Sequence, residues 1–88
     1  ILKRNRFKKA YKKLHPSQKT VIKSQIKDLL NDPLKGEPKR GALASTRVIK
    51  FKLDHQLILL AYEFNRDPQT IILEALGSHE NFYRDLKR

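Results

Sequence analysis

Three observations predict an α+β fold. In the first third of the chain the apolar residues recur at helical spacing. From about residue 46 they recur at every second position, and the strands so implied are separated by turns too short to hold crossover helices. Together these features predict an N-terminal antiparallel helix hairpin packed on an antiparallel β-meander sheet, with a short C-terminal helix, all in one domain over residues 1–88.

Residues 3–14 carry Phe7, Ala10, Tyr11 and Leu14 on one helical face and lysines on the other. His15-Pro16-Ser17 interrupts that helix. Proline disfavours helix in the residue before it and suits the first turn of the next, so a second helix is predicted over 16–31. Its core face is Ile22, Ile26, Leu29 and Leu30, with Val21 flanking, and Asn31-Asp32-Pro33 ends it. Residues 35–44 hold two glycines and Pro38 and read as a loop. Over 46–53, Ile49, Phe51 and Leu53 alternate with Val48, Lys50 and Lys52, which predicts a strand with one apolar face. Asp54-His55 makes a tight turn into 56–64, apolar on both faces and therefore a central strand. Asn65-Arg66-Asp67-Pro68 is a turn, 70–76 a third strand, and Gly77-Ser78 its end. Ser78 is placed to cap a last helix over 79–86, with Glu80 in its first turn. The chain starts at Ile1 rather than Met, which fits missing N-terminal residues, and Ile1-Leu2 reads as the stub of a further strand.

Composition narrows the function classes. An 88-residue chain buries only about 60–65 % of its unfolded surface, which leaves little room for an internal substrate cavity. With no cysteine, disulfides, thiolate zinc sites and cysteine nucleophiles are excluded, and a reducing, cytoplasmic setting fits. His15, His55 and His79 lack the spacing of a metal site, and no metal or other cofactor is expected. No apolar run is long enough to cross a bilayer, and no membrane partner is expected. The conspicuous quantity is a net charge of +11. Residues 1–27 hold ten bases and no acid, whereas residues 28–88 hold the other ten bases and all nine acids, a net of +1. Lys8/Lys12, Lys9/Lys13, Lys19/Lys23 and Lys23/Lys27 are like-charged i,i+4 pairs, each costing an isolated helix roughly 0.2–0.5 kcal/mol. A face that carries this repulsion with no compensating acid points to a polyanion such as RNA, with Lys8, Lys9, Lys12, Lys13, Lys19, Lys23 and Lys27 as the contacts. Arg40 and Arg47 flank the glycine loop, either as its solvated charges or as phosphate contacts.

A second constellation lies on the predicted sheet. Lys50 and Lys52 project from one strand face, Glu74 shares its face with Ile72 and Leu76, and His79 follows that strand with Tyr83 one helical turn further on. A histidine, a tyrosine, a carboxylate and cations can together cleave a phosphodiester without metal. One group accepts the ribose 2′-hydroxyl proton, another protonates the leaving oxygen, and the cations stabilise charge on phosphorus. The plainer alternative is that His79 caps the last helix and Tyr83 packs on the sheet. His15 and His55 fall in exposed turns, and Phe7, Tyr11, Tyr62 and Phe64 fall on apolar stripes that mark them as core.

The stretches "FKKAYKKLHPSQKTVIKSQIKDLLNDPLKGEP", "RVIKFKLDHQLILLAYEF" and "IILEALGSHENFYRDLKR", in this order, resemble the RelE/ParE toxin superfamily of bacterial type II toxin–antitoxin systems over nearly the whole chain. Gly77-Ser78-His79 is similar to the Gly-Ser/Thr-His ending of YafQ-like members. That branch implies ribosome-dependent mRNA cleavage in the decoding site. It nominates His79, with Phe82 or Tyr83, for the chemistry and Lys50 and Lys52 for phosphate stabilisation. The resemblance also implies a cognate antitoxin, with the ribosome and mRNA as further partners. RelE-type enzymes carry arginines on the third and fourth strands, and the matching stretches 57–62 and 73–76 have none. The ParE branch, understood as inhibiting DNA gyrase without a nuclease set, is the alternative implied by that departure. A plain RNA-binding module is a third; it expects a lysine-rich start to the last helix, where this chain has His79-Glu80-Asn81.

Overall fold

The computed structural model describes residues 1–38, 46–66 and 69–78. In chain order these form β1 (Leu2–Lys3), α1 (Asn5–Lys12), α2 (Pro16–Asn31), β2 (Glu37–Pro38), β3 (Thr46–Leu53), β4 (Gln56–Arg66) and β5 (Gln69–Ser78). The result is α+β: two helices and one five-stranded sheet of order β1-β5-β4-β3-β2. The last helix expected over 79–86 lies outside the described residues.

The helices follow from local chemistry. His15 takes the extended conformation a residue before proline prefers (φ −67°, ψ 154°), and Pro16 opens α2 where a missing N–H costs nothing. The side chain of Gln18 joins this corner to the sheet. Its Oε1 accepts from the His15 backbone N–H at 3.0 Å, and its Nε2 donates to Asp54 Oδ2 at 2.8 Å. Helix α1 starts later than the predicted residue 3 because Leu2–Lys3 is taken into the sheet, and it ends at Lys12, two residues before the predicted end at Leu14.

β3, β4 and β5 form the expected antiparallel meander, but the sheet is mixed. β1 pairs parallel to β5, with Leu2 opposite Ile72 and Lys3 opposite Leu73. Strands adjacent in sequence pair antiparallel through their short turns, whereas β1 pairs with a strand more than sixty residues further along, free of that constraint. The predicted loop 35–44 likewise contributes an edge strand, β2, in which Pro38, lacking an N–H, sits where the ladder ends. Asp54 and His55 connect β3 to β4 with φ of 51° and 68°, the paired left-handed geometry of a type I′ hairpin turn.

Phe7 from α1 and Ile22 and Leu29 from α2 pack with Ile49, Leu53, Ile58, Leu60, Tyr62, Ile71 and Leu73. A smaller cluster of Val48, Leu59, Ala61 and Ala75 occupies the other sheet face, so β4 is buried on both faces as a central strand should be. Leu30, predicted as core, is 54 % exposed. At 100° per residue Ile22, Ile26 and Leu29 cluster within a narrow stripe, and Leu30 rotates onto its rim.

The β4–β5 ladder changes register between Ala61, opposite Ala75, and Tyr62, opposite Leu73. Glu74 is therefore the extra residue of a β-bulge. The bulge inverts the alternation along β5: Ile71, Leu73 and Leu76 all join the helix-side core. Glu74 therefore does not share one face with both Ile72 and Leu76, as strict alternation had implied.

Candidate nucleic-acid interface

The helices present the cationic surface. Lys8, Lys9, Lys12, Lys13, Lys23 and Lys27 are all exposed. Lys19 is half-buried, its ammonium 5.5 Å from the Tyr11 ring centroid, while Tyr11 stacks on Phe7 at 5.8 Å. A cation over an aromatic face is stabilised by the ring quadrupole, which holds Lys19 at the junction of α1 and α2.

Arg47 is not part of this surface. Its Nη1 donates to the carbonyl oxygens of Gly36 at 2.8 Å and Leu34 at 3.3 Å. The guanidinium is thus committed to the α2–β2 connection, which explains why it is half-buried. The same connection is gripped from inside by Tyr62. Its hydroxyl donates to the Pro33 carbonyl at 2.7 Å and accepts from the Gly36 N–H at 2.8 Å. A Cβ on residue 36 would lie 2.6 Å from that oxygen, so glycine is required by space. Burial pushes the Tyr62 phenol up, against the lowering influence of the Gly36 N–H and Arg47, while Asp32 adds to the rise. Arg40 lies outside the described residues.

On the sheet, Lys50 and Lys52 are exposed and sit opposite Leu59 and Leu57 of β4. Continuing across the ladder, Lys50 shares its rung with Leu59 and Gly77, and Phe51 shares its rung with Ile58 and Ser78. The two lysines therefore lie at the same end of the sheet as the C-terminal end of β5, about 10 Å away across two strand spacings. Beside that end a cavity of about 280 Å³ opens between helices and sheet. It is lined by apolar Leu14, Ile22, Leu53, Ile58 and Leu76, with Lys13 at its edge.

Glu74 is not brought to the lysines. It lies two strands from β3 on the Val48 side of Lys50, and its carboxylate pairs with Arg4 instead, Oε2 to Nε at 3.6 Å. Burial raises its pKa first and neighbouring Glu63 second; Arg4, and more weakly Arg6, lower it. Arg4 is the participant that sequence reading missed. It is one basic residue among ten in its segment, and nothing local signals that parallel pairing of β1 carries it to the last strand. His79, Phe82 and Tyr83 lie outside the described residues. Among the described residues no group of three His, Cys, Asp or Glu could hold a metal ion, and no helix is long and apolar enough to cross a membrane.

The chain matches, over residues 1–87, the family described as ParE-like toxin of type II bacterial toxin–antitoxin system, and it belongs to that family. Its fold is similar to that of a chain in the crystal structure of the intact E. coli RelBE toxin–antitoxin complex. The TM-score is 0.70 at 18 % identity, over 88 % of this chain and 92 % of that one. No functionally curated protein matches the chain in sequence.

Proposed function

We propose that this toxin is a ribosome-dependent mRNA endonuclease that inhibits translation by metal-independent cleavage. The observation that carries the reading is the register placing Lys50 and Lys52 at the same end of the sheet as Ser78, the residue that precedes His79. The ribose 2′-oxygen attacks phosphorus as its proton is accepted, and the 5′-oxygen leaves as it is protonated. His79 and Tyr83 serve those two transfers, and the lysines stabilise charge accumulating on the phosphate oxygens. Glu74, engaged by Arg4, acts in this reading as a counter-ion. The helical lysines hold ribosomal RNA. A cognate antitoxin, in keeping with the toxin–antitoxin assembly of the structural relative, would place apolar side chains in the cavity beside Ser78 and acidic groups against Lys9 and Lys13.

A second reading, gyrase inhibition, is favoured by the ParE-like description of the family and by the lack of arginine in 57–62 and 73–76. Mapping mRNA ends on programmed ribosomes, wild type beside His79→Ala, separates the two. New mRNA ends that vanish with His79→Ala are expected. Intact mRNA accompanied by gyrase-dependent DNA breaks would replace the first reading with the second.

A further inference from the structure

We infer that the recess where β1 meets α1 is a phosphate-binding site for single-stranded RNA, formed by Lys3, Arg4 and Lys8. This rests on the reading that the chain engages RNA, and it adds a contact at the sheet edge opposite β2, across the sheet from Lys50 and Lys52. The recess measures about 500 Å³ and is lined by Ile1, Leu2, Lys3, Arg4, Lys8 and Ile72, with no carboxylate among them. That volume is within the roughly 300–1,000 Å³ common for small-ligand sites, and suits one nucleotide.

The fold brings the three cations together. Lys3 ends the parallel pairing with β5, and the Arg4 backbone N–H donates to Leu73 O at 2.9 Å, which holds the chain at the sheet edge. The backbone then turns into α1, where the Lys8 N–H donates to Arg4 O at 3.1 Å. Arg4 and Lys8 thus stand one turn apart, on the same side. Glu74 engages Arg4 through Nε, and the arginine side chain remains 60 % exposed. An arginine with that much of its side chain in solvent can still donate to a phosphate while Glu74 holds it in place. Apolar Leu2 and Ile72 form a wall against which a base or ribose can rest. Three cations stand against the single carboxylate of Glu74, so the recess is net positive and attracts a phosphate.

The test is binding of a fluorescein-labelled ten-nucleotide single-stranded RNA by the full chain, followed by anisotropy from low to moderate KCl. Lys3→Gln, Arg4→Gln and Lys8→Gln are compared with Lys35→Gln, which removes an exposed cation outside the recess that pairs with Asp28 at 3.6 Å. Each recess substitution should weaken binding about fivefold and reduce the slope of log K against log salt by about 0.7, the value for one phosphate contact on a single strand. Lys35→Gln should leave both at wild type. Thermal midpoints read in parallel establish folding, and exposed Lys3, which is not among the helical lysines assigned to ribosomal RNA, keeps the test valid if Arg4→Gln is destabilised. Recess variants indistinguishable from Lys35→Gln overturn the site while leaving RNA cleavage by the wild type intact. A wild type that binds no RNA overturns both this site and the RNA reading, and losses confined to a duplex DNA probe overturn the assignment to RNA.

Discussion

Replacing Tyr62 by Phe removes one oxygen from a side chain that is fully buried and keeps its packing. That oxygen serves two backbone groups, the N–H of Gly36 at 2.8 Å and the C=O of Pro33 at 2.7 Å. Gly36 is buried, so its N–H is left without a partner and bears the full penalty. Pro33 is half-buried, and its carbonyl can recruit water. An unsatisfied buried group costs about 1–3 kcal/mol, which puts Tyr62→Phe at about 2 kcal/mol. For a domain this size the thermal midpoint falls by about 4–8 °C per kcal/mol, a drop of about 8–16 °C. Urea unfolding followed by circular dichroism should show a lower midpoint with an unchanged slope, since the area exposed on unfolding is the same. The pH dependence supplies a second check. A phenol raised above the ordinary value of about 10 in the folded state contributes stability that is fully present below that value. This contribution is lost as pH rises from about 10 towards the folded-state value. Wild type should therefore lose more stability than Tyr62→Phe on going above pH 10. A destabilisation under about 0.5 kcal/mol, with matching alkaline profiles, would refute the clamp.

Glu74→Gln probes the bulge. The raised carboxyl pKa means that the charged form destabilises the fold above the folded value and that this cost is relieved as pH falls through it. Glu74→Gln should therefore be the more stable form at pH 7, and urea midpoints should converge with wild type at acid pH; a gap that widens on acidification contradicts the assignment. Charge reversal at Lys19, Lys23 and Lys27 should weaken ribosome binding and flatten its salt dependence, measured by co-sedimentation across a KCl series. A salt profile unchanged by the triple reversal would remove these lysines from the interface.

Much of the fold is legible locally. The bounds of α2 and β3 match their predicted ranges, because Pro16 and the period-two pattern of Ile49, Phe51 and Leu53 act over a few residues. The positive φ angles of Asp54 and His55 answer to the same short-range demand of a two-residue hairpin. The strand stub expected at Ile1-Leu2 is present as β1, one residue further on, whereas β2 was not legible because two residues carry no periodicity. Of the candidate site, exposure of Lys50, Lys52 and the helical lysines other than Lys19 followed from their faces. The partners of Arg47 and Glu74 did not, because charge in a sequence says that an arginine needs an anion or a carbonyl but not which one.

The amino-acid sequence by itself determined the segregation of charge: ten bases before the first acid, most of them on helices whose apolar stripes face inward. It also determined the order of helices and meander, since both depend on side-chain period and turn chemistry within one element. Tertiary structure alone decided the parallel return of β1, the bulge at Glu74 and the grip of Tyr62 on a loop 29 residues away in sequence. These arise from backbone groups that must find partners in a closed sheet and a filled core, and the partners come from segments far apart in the chain. That requirement commits Arg47 to holding a loop and brings Arg4 to the edge of the last strand.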